Sequence, residues 1–207
     1  GVEAADLVAA ACFEPHALKD AGLGADEMSA AGLPLARILE AGFDASELRG
    51  CLDADDPGAL LQAGYDFEEV AAAFRIDAKD RDRLALLHVM HAVGCAEELK
   101  RKGWGGEKLT TWSGVKTNGK GRVVELDLSG LKANGSLPAL PETIKELQYL
   151  ERLSLKGNDK LVGPLPRGLG YLDHLSELNL AGTGLRFPGT GVPASKRVAV
   201  SYTHLTL

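Results

Sequence analysis

Residues 123–128 read Val-Val-Glu-Leu-Asp-Leu, and two related stretches follow: Leu-Glu-Arg-Leu-Ser-Leu at 150–155 and Leu-Ser-Glu-Leu-Asn-Leu at 175–180. Corresponding leucines lie 27 and then 25 residues apart. A short apolar strand that recurs every 20 to 30 residues or so is typical of chains whose coils stack on one another. The spacing predicts three short parallel strands in sequential order. Their central residues are Leu126, Leu153 and Leu178.

The segments between these strands carry a second repeated pattern. Gly135-Ser136-Leu137-Pro138 and Gly163-Pro164-Leu165-Pro166 occupy equivalent positions, and each is followed by a pair of spaced apolar residues. Together with the leucine rows, they make the region from about 104 to 188 resemble plant-type leucine-rich repeats. The resemblance implies an α/β solenoid with its short parallel strands on a concave face.

The region before the first strand fits the same resemblance. Trp112-Ser113-Gly114-Val115, followed by Gly121-Arg122-Val123, is similar to the amino-terminal cap of such repeats. A helix predicted over residues 80–94 suits the cap, because Leu86, Met90 and Val93 form an apolar stripe at helical spacing.

Two departures from the family pattern bear on location and packing. Thr110 and Thr117 stand where disulfide-bonded ectodomains of this type place cysteines around the cap tryptophan. The three cysteines of the chain, Cys12, Cys51 and Cys95, are odd in number and widely spaced, which favours reduced thiols. The missing cap cysteines indicate either a reducing compartment or a lineage that dispenses with the bridge, and a cytoplasmic location is favoured over an extracellular one. The inner asparagine of the repeat is kept only as Asn158, its equivalents being Leu131 and Thr183.

In an L-x-L strand the leucines face the core and the residues between and beside them face outward. Leu153 and Leu155 are thus predicted core residues. The outward residues are the predicted binding surface on the concave face, and the eight candidates are Glu125, Asp127, Ser129, Arg152, Ser154, Lys156, Glu177 and Asn179. Stacking aligns them in three columns, with Ala181 completing the third. In the first column Arg152 is expected to lie between Glu125 and Glu177.

The first 79 residues have a different, ten-residue period. Ala21-Gly22-Leu23, Ala31-Gly32-Leu33 and Ala41-Gly42-Phe43 recur, and an apolar residue precedes each by three positions. A continuous helix turns about 1000° in ten residues, so these positions would drift off one face. Short helices of about two turns, each ending at its glycine, are predicted over about residues 16–79.

Asp44 with Glu47, and Asp66 with Glu69, have the spacing of capping boxes. The array resembles the tandem decapeptide repeats of microbial eukaryotic proteins. Its two interpretations are a docking surface and a structural spacer.

Composition excludes several functions. The chain has 207 residues, 45% hydrophobic and 25% charged, and no apolar run approaches the roughly 20 residues of a membrane-spanning helix. Residues 1–79 hold 16 acidic and 5 basic side chains, against 13 and 18 in residues 80–207. The acidic half disfavours nucleic-acid binding, and in the basic half acidic residues interleave with the lysines and arginines. His88, His91 and Cys95 share one helix face, but buried or packed histidines are the favoured interpretation over a metal site.

The last residues have a separate origin in this interpretation. Residues 200–207, Val-Ser-Tyr-Thr-His-Leu-Thr-Leu, resemble the in-frame translation of a transposase-type sequencing adaptor. The predicted organisation is an acidic helical region over 1–79, a cap over 80–122, leucine-rich repeats over 123–199 and an adaptor-derived tail over 200–207. The chain starts at Gly1 without Met and is expected to be a fragment.

Two functions follow from the resemblance. The first is a non-enzymatic interaction module that binds a protein or peptide through the concave face, without cofactor, nucleic acid or membrane. The second is the recognition segment of a larger signalling enzyme, such as a receptor-like kinase, whose catalytic part lies elsewhere. No protease, P-loop or kinase signature is found in these 207 residues.

Overall fold

The computed structural model describes residues 14–51, 56–78, 80–131 and 140–186, and the backbone of Ala199 and Val200. The chain divides into two compact units, Gly1–Arg75 and Ile76–Leu207.

The first unit is a series of very short helices. The described α-helices are α1 (Pro15–Asp20), α2 (Ala25–Ala30), α3 (Leu35–Glu40), α4 (Gly58–Gln62) and α5 (Phe67–Ala73), with a 3₁₀ helix at Glu47–Gly50. Each α-helix has only five to seven residues, so the predicted two turns were slightly too long. The last helix ends at Ala73, before the predicted limit near residue 79.

The glycines end these helices as predicted. Gly22, Gly32 and Gly64 have φ values of 89°, 88° and 102°, a conformation that glycine adopts without strain. The residue after Gly22, Leu23, donates its N–H to the carbonyl of Leu18 at 3.1 Å, and equivalent bonds follow Gly32 and Gly64. This is the Schellman ending, in which an apolar residue folds back on the last turn.

Some of these helices pack on the helix two units further along, and the pairs α2–α3 and α4–α5 are in contact as neighbours. Helix α1 contacts α3, and α2 contacts the 3₁₀ helix. Lys19 donates to the carbonyl of Gly42 at 2.7 Å, and the Tyr65 hydroxyl donates to the carbonyl of Phe43 at 2.6 Å. The apolar residues that precede each break are buried, and they are Leu18, Met28, Ile38, Leu48, Leu60 and Val70. The residues that recur every ten positions therefore form the apolar core of this unit. Its helices are too short to be stable alone and depend on this packing.

One capping box is confirmed and one is not. The Asp44 carboxylate accepts from the N–H of Glu47 at 2.9 Å, and Glu47 accepts from the N–H of Asp44 at 2.8 Å. Asp66 likewise accepts from the N–H of Glu69, but the Glu69 carboxylate accepts from the N–H of Ala45 at 3.0 Å. The prediction for Glu69 was wrong because a stacked neighbour offers a better-placed donor than its own helix.

The second unit begins with two helices, α6 (Arg81–Ala92) and α7 (Ala96–Arg101). Helix α6 is shorter than the predicted 80–94. Eight of its twelve residues are buried, including Leu84, Ala85 and Val89 outside the predicted stripe. Short 3₁₀ helices follow at Leu109–Thr111, Glu142–Glu146 and Arg167–Tyr171. Helix α6 packs against α7 and against the 3₁₀ helix at Glu142–Glu146.

The strands form two sheets. Their bounds are β1 (Val115–Thr117), β2 (Val123–Asp127), β3 (Arg152–Ser154), β4 (Val162–Pro164), β5 (Glu177–Asn179), β6 (Gly184–Arg186) and β7 (Ala199–Val200). One sheet has the order β1-β2-β3-β5-β7, in which only the β1–β2 pair is antiparallel, and β4 pairs with β6 in parallel. The structure is thus mixed helix and strand with short parallel strands.

The predicted strand register is confirmed. Leu126 lies opposite Leu153, and Leu153 opposite Leu178. Leu153 and Leu155 are 1% and 0% exposed, as predicted for core positions. The pairs of spaced apolar residues that follow the two Gly-x-Leu-Pro segments are also buried. They are Ile144, Leu147, Leu169 and Leu172.

Replacement of Leu153 by Ala should lower the free energy of unfolding by about 2 to 5 kcal/mol, because the cavity it leaves lies between two neighbouring strands. Urea denaturation of the wild-type and variant chains measures the difference. The exposed residue Lys156, changed to Ala, is the control and should shift the midpoint little. An unchanged midpoint for Leu153→Ala would show that Leu153 does not point into the core.

The last strand touches the predicted adaptor segment. Val200 pairs with Leu178, and Ala199 with Glu177. Residues 201–207 lie outside the described part of the chain. Backbone pairing of two residues does not show whether a segment is natural or derived from an adaptor. The adaptor interpretation of residues 200–207 therefore stays a prediction.

Candidate binding surface

The outward side chains of β2, β3 and β5, together with Ser129 and Lys156 two residues beyond the ends of β2 and β3, form one polar surface, here called the strand face. The structure aligns Glu125 with Arg152 and Glu177, and Asp127 with Ser154 and Asn179. All of these side chains are exposed or half-buried. The first two predicted columns therefore lie within the strand pairs. Beyond the strands, the N–H of Gly130 donates to the carbonyl of Lys156 at 2.8 Å and the N–H of Gly157 donates to that of Ala181 at 2.7 Å, which continues the register through the third column.

The first column differs from the prediction in its charge pairing. Arg152 donates from Nε and Nη2 to Oε2 of Glu125, at 2.9 and 2.6 Å. Glu177 makes no ion pair with a described residue, although its charge acts on Arg152. Arg152 is therefore bound to one carboxylate and is not held between two.

A cation from the cap joins this column. Lys116 of β1 lies 2.8 Å from Oε1 of Glu125, so Glu125 is paired with two cations. Hydrogen bonds from Lys116 and Arg152 lower the pKa of Glu125 below its ordinary value. Sequence reasoning missed Lys116. The turn-forming run Asn118-Gly119-Lys120-Gly121 before β2 is typical of a hairpin. It could have predicted that the segment with Lys116 pairs with β2 beside Glu125.

The second and third columns are joined by hydroxyl groups. The Ser129 hydroxyl donates to the Asp127 carboxylate at 2.5 Å and lies 2.7 Å from the Ser154 hydroxyl. Asn179 accepts from the N–H of Ala181 at 3.1 Å. The Ser129 hydroxyl thus bonds to both Asp127 and Ser154 of the second column. These bonds orient the polar groups that remain exposed.

A shallow depression of about 210 Å³ lies on the strand face. Its lining includes Glu125, Asp127, Arg152, Ser154 and Glu177. Three carboxylates surround one guanidinium, and Glu125 is the carboxylate already paired. The depression can therefore receive a small number of partner side chains, and Asp127 and Glu177 give it negative charge.

The cap fixes β1, and with it Lys116, beside β2. Trp104 and Trp112 are buried and stacked, with ring centroids 5.0 Å apart. Their indole N–H groups donate to the carbonyls of Ser113 and Gly106, at 2.9 and 3.1 Å. Gly114 accepts from the N–H of Asp127 at 2.7 Å. This network joins the two tryptophans and the turn at Gly114 to the end of β2.

Asn158 joins the segment after β2 to the segment after β3. Its Nδ2 donates to the carbonyls of Leu128 and Leu155, both at 2.8 Å, and its side chain is buried. Thr183 makes only the bond within its own turn, to the carbonyl of Leu180 at 2.9 Å. Thr183 therefore substitutes in part for the inner asparagine, as expected from its single hydroxyl.

The histidines of α6 have a packing role in this structure. Nδ1 of His88 lies 2.9 Å from the Thr143 hydroxyl. Burial, and then the charge of His91, lower the pKa of His88 to about 4. Among the described residues, no group of three His, Cys, Asp or Glu side chains is arranged to hold a metal ion.

His88 should make stability depend on pH. An unfolded histidine takes up a proton near pH 6.5, but folded His88 does so only near pH 4. The unfolded state therefore binds more protons in this window, so stability should be lost as pH falls from about 6.5 to 4. The ring is partly exposed, which reduces the expected loss to about 1 to 2 kcal/mol.

Urea denaturation at pH 7 and pH 4.5 tests this dependence. The His88→Gln variant should lose that part of the pH effect, whereas His16→Gln, at an exposed position in the first unit, should keep it. Equal pH effects in the wild type and His88→Gln would contradict the prediction.

Comparisons with known proteins bear on the repeat character of part of the chain. No protein-family model matches the chain. A stretch of 74 residues, 36% of this chain, is 36% identical to part of the leucine-rich repeat receptor-like serine/threonine-protein kinase RGI4 of Arabidopsis thaliana. The match spans only 6% of that kinase's length. It indicates leucine-rich repeat character, and the decapeptide resemblance has no counterpart in these comparisons. Among the described residues, no helix is long and apolar enough to cross a membrane.

Proposed function

We propose that this chain is a non-enzymatic interaction module whose second unit is a leucine-rich repeat solenoid. In this proposal the strand face is concave and binds a protein or a peptide. The first unit would serve as a spacer or as a second docking surface.

The observation that carries the proposal is the register of β2, β3 and β5. Parallel pairing of equivalent residues brings polar groups from three distant parts of the sequence onto one exposed surface. Their hydroxyls and carboxylates are oriented by bonds to one another, which reduces the ordering cost of binding a partner. The weak likeness to a leucine-rich repeat kinase supports the same use of the face.

Binding by this face alone should be weak. Three neighbouring strands span only about 10 to 15 Å, whereas a stable interface covers roughly 800 Å² on each partner. A dissociation constant in the micromolar range or above is expected for a short peptide.

A second candidate function is favoured by the kinase match. In that case these residues would be the recognition segment of a larger receptor-like kinase, and catalysis would reside in another part of the protein. The complete transcript separates the two candidates: a membrane-spanning segment followed by kinase motifs supports the second, and their absence from the complete sequence supports the first.

The strand face is tested by panning a phage-displayed library of random 12-residue peptides on the purified chain. Multivalent display retains weak binders. Asp127→Lys should weaken binding of the selected peptides at least tenfold, measured by fluorescence anisotropy. The control Asp159→Lys makes the same charge change in the exposed turn beyond β3 and should have little effect.

Circular dichroism must show that both variants keep the wild-type fold. Selected peptides that bind Asp127→Lys as tightly as the wild type would place the binding site elsewhere.

A further inference from the structure

A second surface runs beside the strand face. Arg122, Tyr149 and His174 occupy equivalent positions in successive coils, each three residues before a member of the first charged column. The guanidinium carbon of Arg122 lies 4.6 Å from the centre of the Tyr149 ring. The rings of Tyr149 and His174 are nearly parallel, at 9°, with centroids 5.8 Å apart. These three side chains are called the lateral column.

The lateral column is fixed at one end. Arg122 donates from Nε and Nη2 to the two carboxylate oxygens of Asp82, at 3.1 and 2.7 Å, and Asp82 is fully buried. The positive charge of Arg122 is thereby matched, and its flat group is held against Tyr149. The stack is therefore ordered before any partner arrives.

The column is nevertheless accessible. Tyr149 is 38% exposed and His174 is exposed as well. Stacking of this kind contributes little to the stability of the fold by itself. Ordered and partly exposed Tyr and Arg side chains are typical of the residues that carry binding energy at interfaces, because few rotamers are lost on binding.

The lateral column and the depression lie within reach of one ligand. Tyr149 and Arg152 are three positions apart in the sequence, as are His174 and Glu177, so their Cα atoms are at most about 11 Å apart. An extended peptide of four or five residues covers this distance.

Charge selects the kind of peptide. Glu125 and Arg122 are each paired with opposite charges, whereas Glu177 makes no ion pair with a described residue. The bonds that Asp127 accepts come from the N–H and hydroxyl of Ser129, which are neutral groups. The lining of the depression thus has three carboxylates and one guanidinium, and two of the carboxylates have no cationic partner within the described part of the chain, which favours a cationic ligand.

We propose that the partner is an extended peptide segment that places a lysine or arginine beside Glu177 and Asp127, and an aromatic or proline ring against the edge of the Tyr149–His174 stack. This inference rests on the proposed function and names the chemistry of its partner. Neither surface suffices alone: the depression supplies charge, and the lateral column supplies apolar contact area.

The test uses the peptides selected on the full wild-type chain. Lysine and arginine should exceed aspartate and glutamate in the selected pool, and aromatic residues or proline should be enriched. Glu177→Lys and the double variant Tyr149→Ser/His174→Ser should each weaken binding about tenfold or more. Tyr171→Ser is the matched control, because Tyr171 is 70% exposed at the end of the 3₁₀ helix Arg167–Tyr171. This variant should bind as the wild type does.

The outcomes separate the two proposals. Binding that falls with Asp127→Lys but is unchanged in Tyr149→Ser/His174→Ser overturns the lateral column and leaves the strand face as the site. A selected pool without excess cationic residues overturns the charge assignment. Failure to enrich any peptide above an uncoated-surface control overturns both proposals. Melting temperatures of the variants close to wild type exclude loss of folding as the cause.

Discussion

Asp82→Ala is expected to lower the free energy of unfolding by about 3 to 5 kcal/mol. The Asp82 carboxylate is fully buried on helix α6 and accepts three hydrogen bonds. Two come from Arg122, and the third comes from the N–H of Val123 at 2.7 Å. Its removal leaves the poorly exposed Arg122 guanidinium and the buried Val123 N–H without an acceptor. Removing one partner of a buried pair destabilises the fold strongly, because the remaining group stays buried and unpaired.

Urea denaturation measures this loss, and Asp82→Asn separates charge from shape. The amide keeps an oxygen that can accept from Val123 but loses the charge that binds Arg122, so an intermediate loss is expected. A loss below about 1 kcal/mol for Asp82→Ala would mean that this buried pair does not join α6 to β2.

Gly114→Ala is expected to cost about 2 to 5 kcal/mol. Gly114 has a φ of 83°, and a Cβ atom there would lie far inside contact distance of the Asp127 carbonyl. The positive φ costs about 1 to 2 kcal/mol for alanine, and displacement of the β2 backbone adds about 1 to 3 kcal/mol. The same shift would move Asp127 on the strand face.

Gly121→Ala is a matched control for this substitution. Gly121 also has a positive φ, 77°, but no atom would lie within 4 Å of its added Cβ. It should therefore show only the backbone cost, about 1 to 2 kcal/mol. Equal losses for the two variants would contradict the close approach of Gly114 to β2.

The parts of the fold that the sequence predicted well are those set by spacing alone. Leucines 27 and 25 residues apart lead to one strand register, because a shift by one residue would turn Leu126 and Leu153 out of the core. The decapeptide glycines likewise mark helix ends, since their conformation depends on local backbone preferences.

The predictions that were wrong concern side chains that can bond to more than one partner in the folded chain. Glu69 was assigned to its own helix end but bonds to Ala45, 24 residues away. Arg152 was expected between two carboxylates, yet it turns to Glu125, where Lys116 also converges. Such choices depend on side-chain positions that strand spacing does not determine.

The lateral column was missed for a different reason. Arg122, Tyr149 and His174 share no residue type, so equivalent positions did not stand out as the leucines do. All three side chains end in flat groups that can stack on one another. This shared shape was the feature of the sequence from which the stack could have been predicted. The second sheet, β4 with β6, was also not predicted, because glycine and proline in those segments are depleted in strands.

Carboxyl footprinting tests the central claim most directly, that the strand face is the binding surface. The full chain is labelled with carbodiimide and glycine ethyl ester, alone and saturated with a selected peptide, and mass spectrometry measures the labelled fraction of each carboxylate. Labelling of Asp127 and Glu177 should fall several-fold in the complex, while Asp159 and the exposed Asp26 and Glu27 of the first unit stay unchanged. Protection of Asp26 and Glu27 with unchanged labelling of Asp127 and Glu177 would contradict the account and assign binding to the helical array.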